Sequence, residues 1–115
     1  MFRRINWYRQ TVNEDGEPEE LIDEGSVNLE EALIILASLP KTVRGSRGEL
    51  RGFIAEDGSF LEFIREGADA IHVRYENPNA EVYRMGVSNY QEAKEMLIDF
   101  FIGRKLRWLD KLEPY

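Results

Sequence analysis

The stretch from Glu49 to Val87 most constrains the fold, because it reads as four short strands with almost no chain between them. Leu50 to Glu56 and Ser59 to Arg65 are apolar, β-prone runs separated by Asp57-Gly58. That dipeptide favours a two-residue hairpin turn with positive φ, where glycine carries no Cβ penalty. Both runs carry apolar residues on both faces, which fits central strands. The next run alternates: Ile71, Val73 and Tyr75 point one way, and His72, Arg74 and Glu76 the other. That is the pattern of a half-buried strand with one wet face. Asn77-Pro78-Asn79 ends it, since proline cannot donate to a ladder and asparagine tolerates turn geometry. Glu81 to Val87 comes next, with Tyr83, Met85 and Val87 on one face. Connections this short predict an antiparallel meander.

Helical spacing flanks the meander. Tyr90, Ala93, Met96, Leu97, Phe100 and Phe101 predict a helix over roughly Asn89 to Ile102. Ser88-Asn89-Tyr90-Gln91 fits a capping box with Ser88 as the cap. Gly103 is a natural stop, and Arg104 and Lys105 suit the negative end of the helix dipole. An earlier helix opens at Asn28, with Glu31 at the reciprocal position, and runs through Leu29, Ala32, Leu33, Leu36 and Leu39 up to Pro40. Ile34 and Ile35 widen its apolar band toward burial on more than one side. Upstream, Phe2 to Val12 reads as a strand, Asn13 to Pro18 as a loop, and Glu20 to Glu24 as a short return strand that Gly25 and Ser26 interrupt.

The expectation is one α+β domain spanning residues 1–115. Its sheet is mostly antiparallel, a four-strand meander plus an N-terminal strand or hairpin, with two helices packed on it. Leu33, Leu36, Leu97 and Phe100 are the expected core. Leu106, Trp108, Leu109 and Leu112 are expected to fold back as an apolar clasp, since aromatic side chains bury large areas.

Composition excludes several kinds of chemistry. The chain has no cysteine, which removes disulfides, thiol nucleophiles and cysteine-ligated zinc and fits a reducing compartment. No apolar run approaches the ~20 residues of a membrane span. Met1-Phe2-Arg3-Arg4 is basic, but Asn6, Arg9 and Gln10 break any apolar run behind it, so no signal-peptide segment is expected and the location is read as cytoplasmic. His72 is the one histidine, on a wet strand face with no partner suggested by the sequence. Glu62 and Glu66 are carboxylates of a kind any acidic domain offers. Lys41, Arg44, Arg47 and Arg51, with Gly45 and Gly48 among them, match neither a P-loop nor a dinucleotide fingerprint and read as a solvated loop. No metal-ligand spacing or nucleophile elbow is present. The expectation is a protein that is not an enzyme and uses no metal or cofactor.

Charge is the clearest pointer to a partner. Glu14, Asp15, Glu17, Glu19, Glu20, Asp23, Glu24, Glu30 and Glu31 are nine acids between positions 14 and 31 with no lysine or arginine among them. The remaining 22 − 9 = 13 acids face 15 bases, so the whole negative balance of −7 comes from that one segment. One reading is solvated surface. The other is a docking surface for a basic protein, through Glu14, Asp15, Glu17, Glu19, Glu20, Asp23 and Glu24. Such a surface repels phosphate, so no direct nucleic-acid contact is expected there. An alternative binding face lies on the sheet around His72, Arg74 and Arg84.

The meander with Asp57-Gly58, the helix Tyr90 to Phe101 and the closing Leu106-Arg107-Trp108 resemble the immunity proteins encoded beside bacterial polymorphic and contact-dependent toxins. The family in question is paired with deaminase and nuclease toxins, and the resemblance covers the C-terminal half. It implies a small non-enzymatic α+β protein that binds and neutralises a cognate toxin by occlusion. The competing expectation is a regulatory or structural interaction domain, including a homodimer formed through an exposed sheet face or edge.

Overall fold

Among the described residues seven strands form a single sheet in the order β2-β1-β3-β4-β5-β6-β7, and two α-helices cover one of its faces. The computed structural model describes residues 3–43, 45–67, 69–103 and 106–115. The strands are β1 (Ile5–Val12), β2 (Pro18–Val27), β3 (Gly48–Ala55), β4 (Phe60–Gly67), β5 (Ala70–Asn77), β6 (Val82–Ser88) and β7 (Glu113–Pro114). The helices are α1 (Leu29–Ala37) and α2 (Tyr90–Ile102). Every strand pair in this sheet is antiparallel. The chain is α+β as expected. β3 to β6 succeed one another as the meander, but the sheet is wider than the sequence reading allowed, with a two-residue β7 closing on β6.

Two turns differ from expectation. The β3–β4 connection is longer than two residues, because Ala55 N–H donates to Ser59 O at 2.9 Å and Gly58 sits at φ +87°, leaving Glu56-Asp57-Gly58 between them. A type I turn with a left-handed glycine after it matches strand twist as a two-residue loop would, with one more residue. The Asp57 carboxylate accepts from the Ser59 amide and hydroxyl, which stiffens it. In β2, Gly25 does not interrupt the strand. It takes φ +94° at a bulge, where the register slips between Trp7 and Tyr8, and pairing continues to Val27.

Alternation sorts the side chains into two layers. Ile5, Phe53, Ala55, Leu61, Phe63, Ile71, Val73 and Tyr75 face the helices and are buried. Ala32 and Leu36 of α1 meet Ala93, Met96, Leu97, Phe100 and Phe101 of α2 over them. Leu33 is only half-buried, and Ile34 is 63% exposed, so α1 is buried on one side alone. Of the α2 stripe, Tyr90 faces solvent. Trp108 and Leu112 complete the layer: Trp108 meets the Tyr75 ring edge-on at 5.5 Å, and Leu112 lies over Gly86, where a Cβ would come within 2.8 Å of it. The clasp expected of the C-terminal segment therefore forms. No helix among the described residues is long and apolar enough to cross a membrane.

Helix ends are capped, in one case a residue further along than the sequence reading placed it. Asn28 and Glu31 make the expected box on α1. On α2 the cap is Asn89 with Glu92 as its partner, while Ser88 is buried and donates to Ile71 O at 3.3 Å. Gly103 closes α2 at φ +74° as expected, and Arg104 and Lys105 lie outside the described residues. Arg3 holds the same end: its guanidinium donates to Phe100 O at 3.2 Å and pairs with Asp57, tying α2 to the β3–β4 turn. Asn89→Ala should lower stability by about 1 kcal/mol, and Gln91→Ala by less than ~0.5 kcal/mol. A larger loss for Gln91→Ala than for Asn89→Ala in urea melts would place the cap at Ser88.

Candidate interaction face

The face of the sheet turned away from the helices has no element over it among the described residues. Its centre is polar and its surround apolar. Tyr8, Gly52, Glu62 and Arg74 lie side by side across β1, β3, β4 and β5. Gly52 has no side chain, and the Tyr8 ring lies across its Cα; a Cβ there would overlap the ring and its hydroxyl. The ring so placed reaches Glu62, to which its hydroxyl donates at 2.5 Å. Glu62 also accepts from Arg74 at 2.7 Å, and the Arg74 guanidinium stacks over Phe60 at 5.3 Å. Beyond Arg74, Glu76 accepts from the Tyr115 hydroxyl. One polar chain thus crosses the sheet from β1 to the C-terminus.

Burial explains its electrostatics. The Glu62 side chain is 7% exposed, yet both oxygens are engaged. Burial, then the neighbouring carboxylate, pushes the Tyr8 phenol far above its usual range, so it is a fixed donor. Burial alone would lower the Arg74 guanidinium, but the Glu62 carboxylate outweighs it and the charge is held. Burial and the Glu76 hydrogen bond likewise raise the Tyr115 phenol. A buried carboxylate met on both oxygens by a phenol and a guanidinium is held in one position.

Around this centre runs a groove of about 540 Å³ whose lining includes Val12, Leu50, Ile64, Met85 and Val87 beside Gln10, Glu62, His72 and Arg74. Gly16 and Pro18, at the end of the β1–β2 hairpin, border it on one side, and Glu113 borders it on the other. Met85 and Val87 are 44% and 60% exposed. Contiguous apolar area of this kind commonly marks an interface.

The structure brings together only some of the candidates read from the sequence. His72 and Arg74 share the open face, and Glu66 stands 3.1 Å from His72 Nε2, a partner the sequence did not suggest. Arg84 is opposite Tyr75 on the helix side of the sheet, donates to Leu112 O at 3.2 Å, and is not part of that face. The seven acids Glu14, Asp15, Glu17, Glu19, Glu20, Asp23 and Glu24 all lie on the β1–β2 hairpin, where every residue from 14 to 24 is exposed. Arg47 pairs with Glu14 and Glu19, and Arg9 with Glu24 at 2.7 Å. Among the described residues no cation pairs with Asp15, Glu17, Glu20 or Asp23.

Two bases of the connection are ion-paired among the described residues. Arg47 is engaged by the hairpin, and Arg51 by Glu49 at 2.5 Å and by Ile35 O at 2.7 Å at the end of α1. Arg44 lies outside the described residues. No group of three or more histidine or acidic side chains is arranged to hold a metal among the described residues.

Tyr8 and Tyr115 carry no motif that marks them for this face. The available signal was Gly52, an isolated glycine within a strand pattern, which marks close approach by another group. No family model matches the chain, and comparison with curated proteins and with solved structures returns no match.

Proposed function

We propose that this chain is a non-enzymatic, immunity-type protein that neutralises a basic toxin domain in the bacterial cytoplasm by covering its cleft. The observation that carries the reading is the hairpin of exposed acids beside an uncovered, partly apolar groove. The acids supply a field that steers a basic partner in, and the groove supplies apolar area that desolvates on contact. A toxin that handles nucleic acid needs a positive cleft to attract phosphate. An acidic surface competes for that cleft by the same field, without sharing its chemistry.

The partner is to be captured from the native host, identified by mass spectrometry, and its association measured by stopped flow at low and high salt. Neutralising Asp15, Glu17, Glu20 and Asp23 together should slow association by about tenfold or more and flatten its salt dependence. Stability should change little, because exposed charges contribute little to it. Wild-type rates and salt slope in that variant would reduce the acids to solvated surface. A second reading rests on the exposed Met85 and Val87: two copies packed face to face through the groove. Sedimentation distinguishes them, since a dimer that Val87→Lys dissociates would favour the homodimer.

A further inference from the structure

We propose that the free edge of β2 is a docking edge, and that it takes an extended basic segment of a protein partner as an eighth strand of the sheet. This docking mode rests on the protein-binding reading and adds to it the manner of recognition.

The two edges of the sheet are built differently. At one end the two-residue β7 covers the middle of β6: Arg84 pairs with Pro114 and Met85 with Glu113, and Tyr115 N–H donates to Tyr83 O at 3.1 Å. Pro114 has no N–H to offer a further strand. At the other end β2 runs for ten residues, about 33 Å, with β1 on one side and no described strand on the other. It is a stiff template. β1 pairs along most of its length, and Asn13 locks the turn by accepting from the Asp15 and Glu17 amides at 2.9 and 3.0 Å.

An open edge of this length invites pairing, and the charges on it select the occupant. Glu19, Glu20, Asp23 and Glu24 lie on β2 with no lysine or arginine. A second copy is opposed: antiparallel pairing about the Leu21–Ile22 midpoint would set Glu19 against Glu24 and Glu20 against Asp23. A strand alternating lysine or arginine with β-branched residues is complemented. Leu21 and Ile22, 49% and 42% exposed on opposite faces, offer cross-strand neighbours to its apolar positions. Register shifts on both sides, between Trp7 and Tyr8 and between Gln10 and Val12, leave Leu21 to Asp23 as the regularly paired centre of this edge, and a docked strand must seat there.

The probe is an octapeptide of alternating lysine and valine, with a control in which alternate amides are N-methylated. Methylation keeps charge and side chains and removes strand donors. The unmethylated peptide should slow hydrogen exchange of β2 amides, bind about tenfold or more tightly than the control, and weaken with salt. Glu20→Lys with Asp23→Lys, both exposed and without cation partners among the described residues, should abolish binding without unfolding the chain. Three results would each overturn the proposal: equal binding by the methylated peptide, peptide-induced changes centred on Arg74, Met85 and Val87 in place of β2, or no β2 protection at roughly 1 mM peptide. Because the probe is synthetic, such a failure leaves the inhibitor reading standing, whereas that reading fails on the captured partner's kinetics alone.

Discussion

Alanine at position 100 is expected to lower stability by about 3–5 kcal/mol, among the largest losses any single substitution in this chain should cause. Phe100 has no exposed surface. Its ring meets Tyr75 edge-on at 6.3 Å, and the Arg3 guanidinium lies 4.9 Å from its centroid. Removing it opens a cavity between α2 and the sheet at the point where the C-terminal Trp108 also leans on Tyr75. The surrounding strands are paired on both sides and cannot collapse into the space. Leu33→Ala should cost less, because Leu33 is half-buried. Urea denaturation of both variants checks the order, and a Phe100→Ala loss below ~1 kcal/mol would mean that α2 is not seated on the sheet.

Gly52→Ala should cost about 3 kcal/mol although it adds a single methyl group. The new Cβ would occupy the space of the Tyr8 ring, so the ring must leave. Overpacking of this kind costs ~1–3 kcal/mol, and a buried carboxylate that loses its donor adds ~1–3 kcal/mol. Tyr8→Ala removes the ring in advance. In that background Gly52→Ala should be nearly neutral, and the double-mutant coupling should exceed about 1 kcal/mol. Additive losses would show that the ring does not lie on Gly52. The outcome also bears on the open face, since Tyr8 and Arg74 together hold Glu62, and Glu62 sets the polar centre around which the groove is arranged.

What was legible from the sequence was local and periodic. The helices announced themselves by their apolar spacing and by Gly103, and the strands of the meander by β-prone runs between turn residues. The concentration of acids between positions 14 and 31 is a property of the chain before it folds, and burial left it where it was because unpaired carboxylates stay wet. Local errors were small at the α2 cap, Asn89 against Ser88, because both residues are good caps and only the tertiary position of Ser88 beside β5 decides between them; they were larger in β2, which runs from Pro18 to Val27 through Gly25 where a short strand from Glu20 to Glu24 was expected.

Only the tertiary structure decided what lies across the sheet. β1 sits between β2 and β3, so a residue from position 8 meets one from position 62 and, through it, one from position 74. Strand order is set by which apolar faces the helices can cover jointly, a global condition that no window of sequence carries. The same condition left one face uncovered and one edge unpaired among the described residues, and it put Arg84 on the far side from Arg74. Register fixed that last outcome: Arg84 stands opposite Tyr75, whose ring is buried beneath α2, so its side chain shares the helix side with Tyr75.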